Sequence, residues 1–142
     1  MSTGSSDDIR IGQVMLLLHR FPVVRSRVIV KEALEAMGEF GLGIICIVND
    51  EQTLLGVLTD GDIRRTLLRV QKPLSAFFVD DALAHAVLSP CTIKPDDTLR
   101  SAVDLMEQKR IWDLPVTDDD DRLVGLLHLH PAIQALLRAT AS

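Results

Sequence analysis

The sequence predicts an α+β fold: two β-α-β-β-α repeats packed as a pseudo-twofold pair. Three observations lead there. The chain aligns with itself without a gap when Glu32 is set over Ser101, an offset of 69 residues, and an internal repeat constrains architecture more than any local pattern. Within each copy, short apolar runs alternate with segments of helical periodicity. Each copy is also only about 55–60 residues, too few to bury a core comfortably alone, so two copies packed together would cover each other's apolar surface.

The self-alignment pairs Ala33 with Ala102, Met37 with Met106, Asp50 with Asp119, Leu54 with Leu123, Gly56 with Gly125 and Leu58 with Leu127. Arg25 with Lys94 and Ile47 with Val116 are like-for-like pairs. In the first copy "FPVVR" is a short extended piece. "VIVKEALEAMGEF" follows, with Val30, Leu34 and Met37 at helical spacing, and Gly41 and Gly43 end it. "IICIV" and "TLLGVLT" are strands joined by the turn "NDEQ", a hairpin pattern. "DIRRTLLRV" closes the copy as a helix, with Ile63, Leu67 and Leu68 expected on one side. The second copy gives "CTIKP", the helix "DTLRSAVDLMEQK", the strands "DLPVT" and "RLVGLLHL" around the turn "DDDD", and the helix "AIQALLRA". The expected boundaries are 8–70 for the first repeat, 71–82 for a linker and 83–142 for the second repeat.

Composition narrows the class. Of 142 residues, 47% are hydrophobic and 25% charged, the balance of a soluble globular chain. With 4% aromatics, one Trp and no Tyr, the core must be aliphatic. A net charge of −5 argues against nucleic acid as a partner, since that needs a basic face. Cys46 and Cys91 form no disulfide or metal pattern, and Cys46 within "GIICIVN" reads as a buried strand thiol. The start "MSTGSSDDIR" lacks the blocks of a signal peptide. No apolar run is long enough to span a bilayer. The expectation is a cytoplasmic protein without a membrane partner.

The stretch "LGVLTDGDIRR" is the densest in chemistry: after the apolar run come Thr59, Asp60, Gly61, Asp62, Arg64 and Arg65. Taken alone, Thr59 followed three residues later by Asp62 reads as an acidic capping box, with the arginines solvated on the helix. The doubled pattern adds a second reading. "GVLTDGD", "GLL" at the repeat offset, and "PCTIKPDDTLRSAVDLMEQKRIWDLPVTDDDDRLVGLL" in β-α-β-β-α order resemble a tandem pair of CBS domains, often called a Bateman module. The resemblance covers about Ile11 to Arg138. "GLGIICIV", "GVLTDGDIRR" and "LVGLLHLH" are also similar to the C-terminal CBS pair of arabinose-5-phosphate isomerases, and "GVLTDGDIRR" to the CBS pair of sugar nucleotidyltransferases. The chain has no room for either catalytic domain, so the resemblance implies a detached regulatory part or a stand-alone CBS protein and not an enzyme.

What the resemblance implies is a nucleotide in the cleft between the copies. Asp62 would accept from both ribose hydroxyls, a charge-assisted pair of bonds, and Thr59 would donate to a phosphate oxygen. The amides opening the last helix, with Asp60 among them, favour phosphate; Arg64 or Arg65 would add charge. The base would rest on Val24 and Ile44, with Arg25 beside them, and Gly43 would let the backbone approach it. In the second copy Gly125 is kept, but His128 and Pro131 replace Thr59 and Asp62. No carboxylate is left there for a ribose. A degenerate or differently used second site is expected, with His128 and His130, two apart on a strand end, facing the same way. Pro131 suits a first helical turn.

Other patterns carry less. His128 and His130 lack further ligands at zinc spacing. Asp118 to Asp121 lack the alternating oxygens and glycine of an EF-hand and read as a solvated turn. Trp112 stands where the first copy has Gly43, as core or as partial filling of the second cleft. No nucleophile with a placed base is discernible. The expected ligand is an adenine nucleotide (AMP, ADP or ATP), with no cofactor required. The expected partners are a catalytic domain or partner enzyme and a second copy in a homodimer. Two alternatives stay open: feedback by a pathway nucleotide sugar, and a ligand-free dimerisation scaffold whose motif serves as helix cap.

Overall fold

The computed structural model describes residues 9–69 and 72–141. Most of the "MSTGSSDDIR" stretch, and Gln71 at the start of the expected linker, lie outside the described residues. The chain divides into two compact units, one of residues 19–90 and one of residues 9–18 with 91–141.

In the first unit β1 (Val23–Arg25), β2 (Ile44–Val48) and β3 (Leu54–Thr59) form one sheet in that order. β1 runs parallel to β2, with Val23 opposite Cys46, and β3 runs antiparallel, with Ile44 opposite Thr59. The crossover is α1 (Val30–Phe40), whose Val30, Ala33 and Met37 are buried. Gly41 stops it in the left-handed conformation at φ 66°, where a Cβ would be penalised. All five residues of β2 are buried, which is why "IICIV" is a continuous apolar run with no alternation. The core joins the α1 residues to Ile45, Ile47, Leu58, Ile63 and Phe77.

α2 (Asp60–Arg69) departs from the sequence expectation. It buries Ile63 and Thr66, while Leu67 and Leu68 are 40% and 81% exposed. Ile63 and Thr66 are three apart and share the inward stripe; the two leucines follow on the outer side. The stretch expected as linker also differs. Its residues form α3 (Leu74–Phe78), with Phe77 1% exposed, and Ala82 is fully buried. Val30 N–H donates to Asp80 O, Ala82 N–H to Val28 O, and Lys72 and His85 both bond Asp80. A Phe ring has more apolar surface to lose than a linker would leave it, so the segment packs on the first core.

The second unit repeats the plan with α4 (Leu99–Lys109), β4 (Asp113–Thr117), β5 (Leu123–His128) and α5 (Leu129–Ala141). "CTIKP" contributes a single parallel bridge, Ile93 to Val116. Leu99, Ala102, Met106, Leu114, Val116 and Leu127 make its core. Arg110 takes the left-handed helix-ending position that Gly41 holds in the first unit, at φ 55°. Pro131 sits in the first turn of α5, where its missing N–H breaks no helical bond.

The repeated glycines have one physical cause. A Cβ on Gly56 would lie 2.9 Å from Val87 O, and one on Gly125 would lie 2.9 Å from Leu16 O. In each unit a neighbouring segment adds a bridge to the free edge of the second hairpin strand, Val87 to Val57 and Leu16 to Leu126. The hairpin turns repeat as closely. Asn49 Oδ1 accepts from the N–H groups of Glu51 and Thr53; Asp118 Oδ1 accepts from those of Asp120 and Arg122. Gln52 and Asp121 take positive φ at matching positions.

Candidate functional site

The β3–α2 junction of the first unit gathers most of the residues singled out in sequence. Thr59 ends β3 opposite Ile44, and Asp62 lies in the first turn of α2. Thr59 N–H donates to Asp62 Oδ2 at 3.1 Å, and Asp62 N–H donates to Thr59 Oγ1 at 3.1 Å. This is the reciprocal capping box with Asp in place of Glu, satisfying two backbone donors that the helix leaves free. The other Asp62 oxygen accepts from Arg65 at 2.5 Å. Asp62 is 17% exposed in its side chain against 64% for Arg65, so the guanidinium covers the carboxylate from the solvent side.

Gly43 packs against this cluster. Asp60 N–H donates to Gly43 O at 2.9 Å, and a Cβ on Gly43 would lie 2.7 Å from Asp60 Oδ2. A side chain at this position would displace the Asp60 carboxylate, which lies against the Gly43 backbone. Ile44 is 2% exposed and Arg64 is exposed with no ion pair among the described residues.

Val24 and Arg25 are not at this junction. Arg25 is opposite Val48 and Val24 opposite Ile47, whereas Thr59 is opposite Ile44. Four residues of strand place Arg25 about 13 Å along the sheet from the Thr59 end. Arg25 instead donates to Asn49 O at 2.9 Å and pairs with Asp50. Its repeat partner Lys94 does the same work, donating to Asp118 O at 2.6 Å. Both cations clamp a hairpin turn, and Val24 packs against the core of its unit. The repeat itself carried this signal: a cation aligned with a cation, each ahead of an Asx turn.

The matching junction of the second unit is chemically different. His128 ends β5 opposite Asp113, and its Nδ1 lies 2.7 Å from Asp113 Oδ1. Asp113 holds the place of Ile44, so a carboxylate has moved from the helix to the strand. Sequence reasoning did not single it out; its signal was a charge aligned with a buried isoleucine. Leu129 N–H donates to Trp112 O, as Asp60 does to Gly43. Trp112 is 68% exposed, which removes the core reading. With Leu129, His128, His130 and Ile133 it lines an open cavity of about 300 Å³ within this unit. His130 belongs to α5 and not to the strand, so strand alternation does not govern the two histidines, although both border the cavity.

Two carboxyls are held below their usual range. Asp80 is lowered chiefly by its hydrogen bond to Lys72 and then by that to His85; Asp118 is lowered chiefly by the backbone N–H of Arg122. Both belong to structural ties. Among the described residues no helix is long and apolar enough to cross a membrane.

Two β-α-β-β-α units with hairpins, caps and glycines in register define a tandem-repeat α+β module with a polar strand-to-helix junction in each copy. The model of the CBS domain family matches residues 11–69 and 83–130, and the chain belongs to that family. It is similar to a probable arabinose 5-phosphate isomerase of Haemophilus influenzae, 33% identical over 108 residues, which covers 76% of this chain and 31% of that protein. It is also similar to the arabinose 5-phosphate isomerase KdsD of Pseudomonas aeruginosa, 29% identical over 127 residues, with 89% and 38% covered. The chain thus spans about a third of the length of the curated relatives it matches. Among solved structures it resembles CBSX2, a CBS-pair protein crystallised in complex with AMP. That match has a TM-score of 0.81 at 26% identity and covers 93% of this chain and 98% of CBSX2. The same protein from Arabidopsis thaliana in another crystal structure gives 0.82 at 25% identity, with 94% and 98% covered.

Proposed function

We propose that this CBS pair is a cytoplasmic regulatory module that binds an adenine nucleotide at the β3–α2 junction of the first unit and modulates an attached or partner enzyme. The observation that carries the reading is the Thr59–Asp62 cluster beside Gly43. It offers a carboxylate for ribose hydroxyls, a hydroxyl for phosphate, and backbone bared by a glycine. The AMP complex of the CBSX2 relative supports the ligand class. For Asp62 to take a ribose, Arg65 leaves its Oδ1 and becomes free, beside Arg64, for the phosphate. Val24 and Arg25 lie further along the sheet from this cluster, at the strand positions opposite Ile47 and Val48. A ligand alters a partner only by binding two arrangements of the module unequally.

The isomerase relatives favour a second reading, in which the module senses a nucleotide sugar of the parent enzyme's pathway. Leu68 and Leu137, at matching repeat positions and 81% and 62% exposed, are the surfaces assigned to a homodimer. In the scaffold alternative they alone carry the function.

The test is thermal unfolding of the wild type and Asp62→Ala with AMP, ADP, ATP and a CMP-sugar. A ligand at about a hundred times its Kd adds roughly 2.7 kcal/mol. A rise with an adenine nucleotide that is lost in Asp62→Ala supports the proposal. A rise with the CMP-sugar alone transfers it to the second reading, and no rise with any of the four leaves the scaffold.

A further inference from the structure

Residues 9–18 pack on one unit and continue in sequence into the other. They belong with residues 91–141, whereas the chain from His19 onward belongs to the first unit. Ile11 is the anchor: it is fully buried in the core of the second unit with Leu99, Ala102 and Met106, and Ile9, Val14 and Met15 pack against that core. Backbone bonds fix the register at both ends of the segment. Ile11 N–H donates to Asp97 O and Gly12 N–H to Pro95 O, both at 2.9 Å, and Leu99 N–H donates to Ile9 O at 2.8 Å. At the other end Leu16 and Leu126 exchange bonds of 2.7 and 3.0 Å along the edge of β5. Gly125 leaves a notch for the crossing: a Cβ there would lie 2.5 Å from Met15 Sδ and 2.9 Å from Leu16 O.

The slot for Ile11, the polar backbone groups of Pro95 to Leu99, the Gly125 notch and the β5 edge all lie within residues 91–141. Together they are a peptide seat of the strand-addition kind. The seat reads backbone and side chains that every copy of the chain carries alike. Its own copy is favoured by the tether from Leu17 to Arg20, which keeps the segment at high local concentration. That tether is exposed at all four residues, and it carries two apolar side chains, Leu17 at 52% and Leu18 at 40% exposed. Exchange of an identical element between copies is a low-cost route to a dimer. Two copies that trade segments run their tethers side by side, and that contact covers these leucines.

We propose that the second unit is a peptide-binding seat that takes residues 9–18 of a second copy of this chain as well as its own, so that two copies associate by reciprocal exchange of the segment. This association is independent of the nucleotide reading of the first unit, and it does not use Leu68 or Leu137.

The experiment mixes two full-length variants, both checked for folding by circular dichroism. Ile11→Asp spoils the segment and leaves the seat; Gly125→Val blocks the seat and leaves the segment. Only the mixture holds one good segment and one good seat. Fluorescently labelled Ile11→Asp is expected to bind Gly125→Val saturably, and at least roughly thirtyfold more tightly than it binds an unlabelled copy of itself. Adding Leu68→Glu to both chains should leave that preference unchanged, which separates it from association through α2. A labelled peptide of residues 9–18 is the second readout and needs one variant. It is expected to bind Ile11→Asp saturably, and to bind at least roughly thirtyfold more weakly when the peptide itself carries Ile11→Asp. Where either variant fails to fold, the wild-type chain cut at a protease site inserted between Leu18 and His19 replaces it: the fragment should stay bound and exchange with the labelled peptide. With both variants folded, equal association in the mixture and in the self-mixture overturns the proposal. So does the absence of saturable peptide binding or exchange. Loss of AMP binding by the first unit touches none of these readouts.

Discussion

Thr59 and Asp62 hold each other, each backbone N–H donating to the other's side-chain oxygen at 3.1 Å. The residue assigned to a ligand is therefore also a helix cap. Asp62→Ala should lower stability by about 1 kcal/mol with no ligand present. Asp62→Asn keeps an acceptor for Thr59 N–H and loses only the exposed pairing with Arg65, a change of about 0.5 kcal/mol or less. Urea denaturation of both variants without nucleotide checks this. Because the cap alone moves Tm, the ligand-induced shift, and not Tm itself, reports the site.

The glycines that repeat at 56 and 125 admit the backbone of an adjoining segment. Gly56→Ala and Gly125→Ala should each cost about 1–3 kcal/mol, since Val87 O and Leu16 O are backbone atoms that cannot swing aside. Gly38→Ala is the control. Nothing lies within 4 Å of a Cβ there, and the position is inside α1. It should stabilise by about 0.5–1 kcal/mol. Equal effects at the three positions in equilibrium unfolding would refute the close-approach account.

The order of elements was legible because the repeat supplied every boundary twice, and the capping box because Thr59 and Asp62 are neighbours in sequence. What the sequence did not disclose depends on lateral placement. Val24 and Arg25 are expected beside Ile44 and Gly43, but parallel pairing sets them opposite Ile47 and Val48, toward the other end of β2. Leu67 and Leu68 look like core until Thr66 proves to occupy the inward stripe. The repeat offset marks Asp113 as a charge aligned with Ile44, but its pairing with His128, 15 residues away, needs the hairpin register to bring the two together.

The segment expected as linker supplies a further test. Phe77 is 1% exposed, packs in the first core and lies 4.9 Å from the ring of His85. Phe77→Ala should cost about 3–5 kcal/mol, the loss of a buried ring plus its cavity. A tether would tolerate the change within about 0.5 kcal/mol. Chemical denaturation separates the two outcomes without reference to any ligand.

Asn49 and Asp118 do one job with different charge, which isolates the electrostatic part of the turn. Asp118 accepts the N–H groups of Asp120 and Arg122 on Oδ1, and the N–H of Arg122 is the chief cause of its lowered pKa. A carboxyl depressed on folding stabilises the protein at pH values above its unfolded pKa, about 3.9. That stability disappears as pH falls through the lower folded value. Asp118→Asn keeps the acceptor, as Asn49 shows, and removes the titration. The variant's stability should fall less steeply below about pH 4 than the wild type's, so the two curves converge in acid. Asp80, held down by Lys72 and His85, keeps an acid dependence in both proteins. Unfolding free energies measured from neutral pH downward provide the check: a wild-type-to-variant difference that stays constant with pH would mean that the turn is held by geometry alone and that the charge on Asp118 contributes nothing.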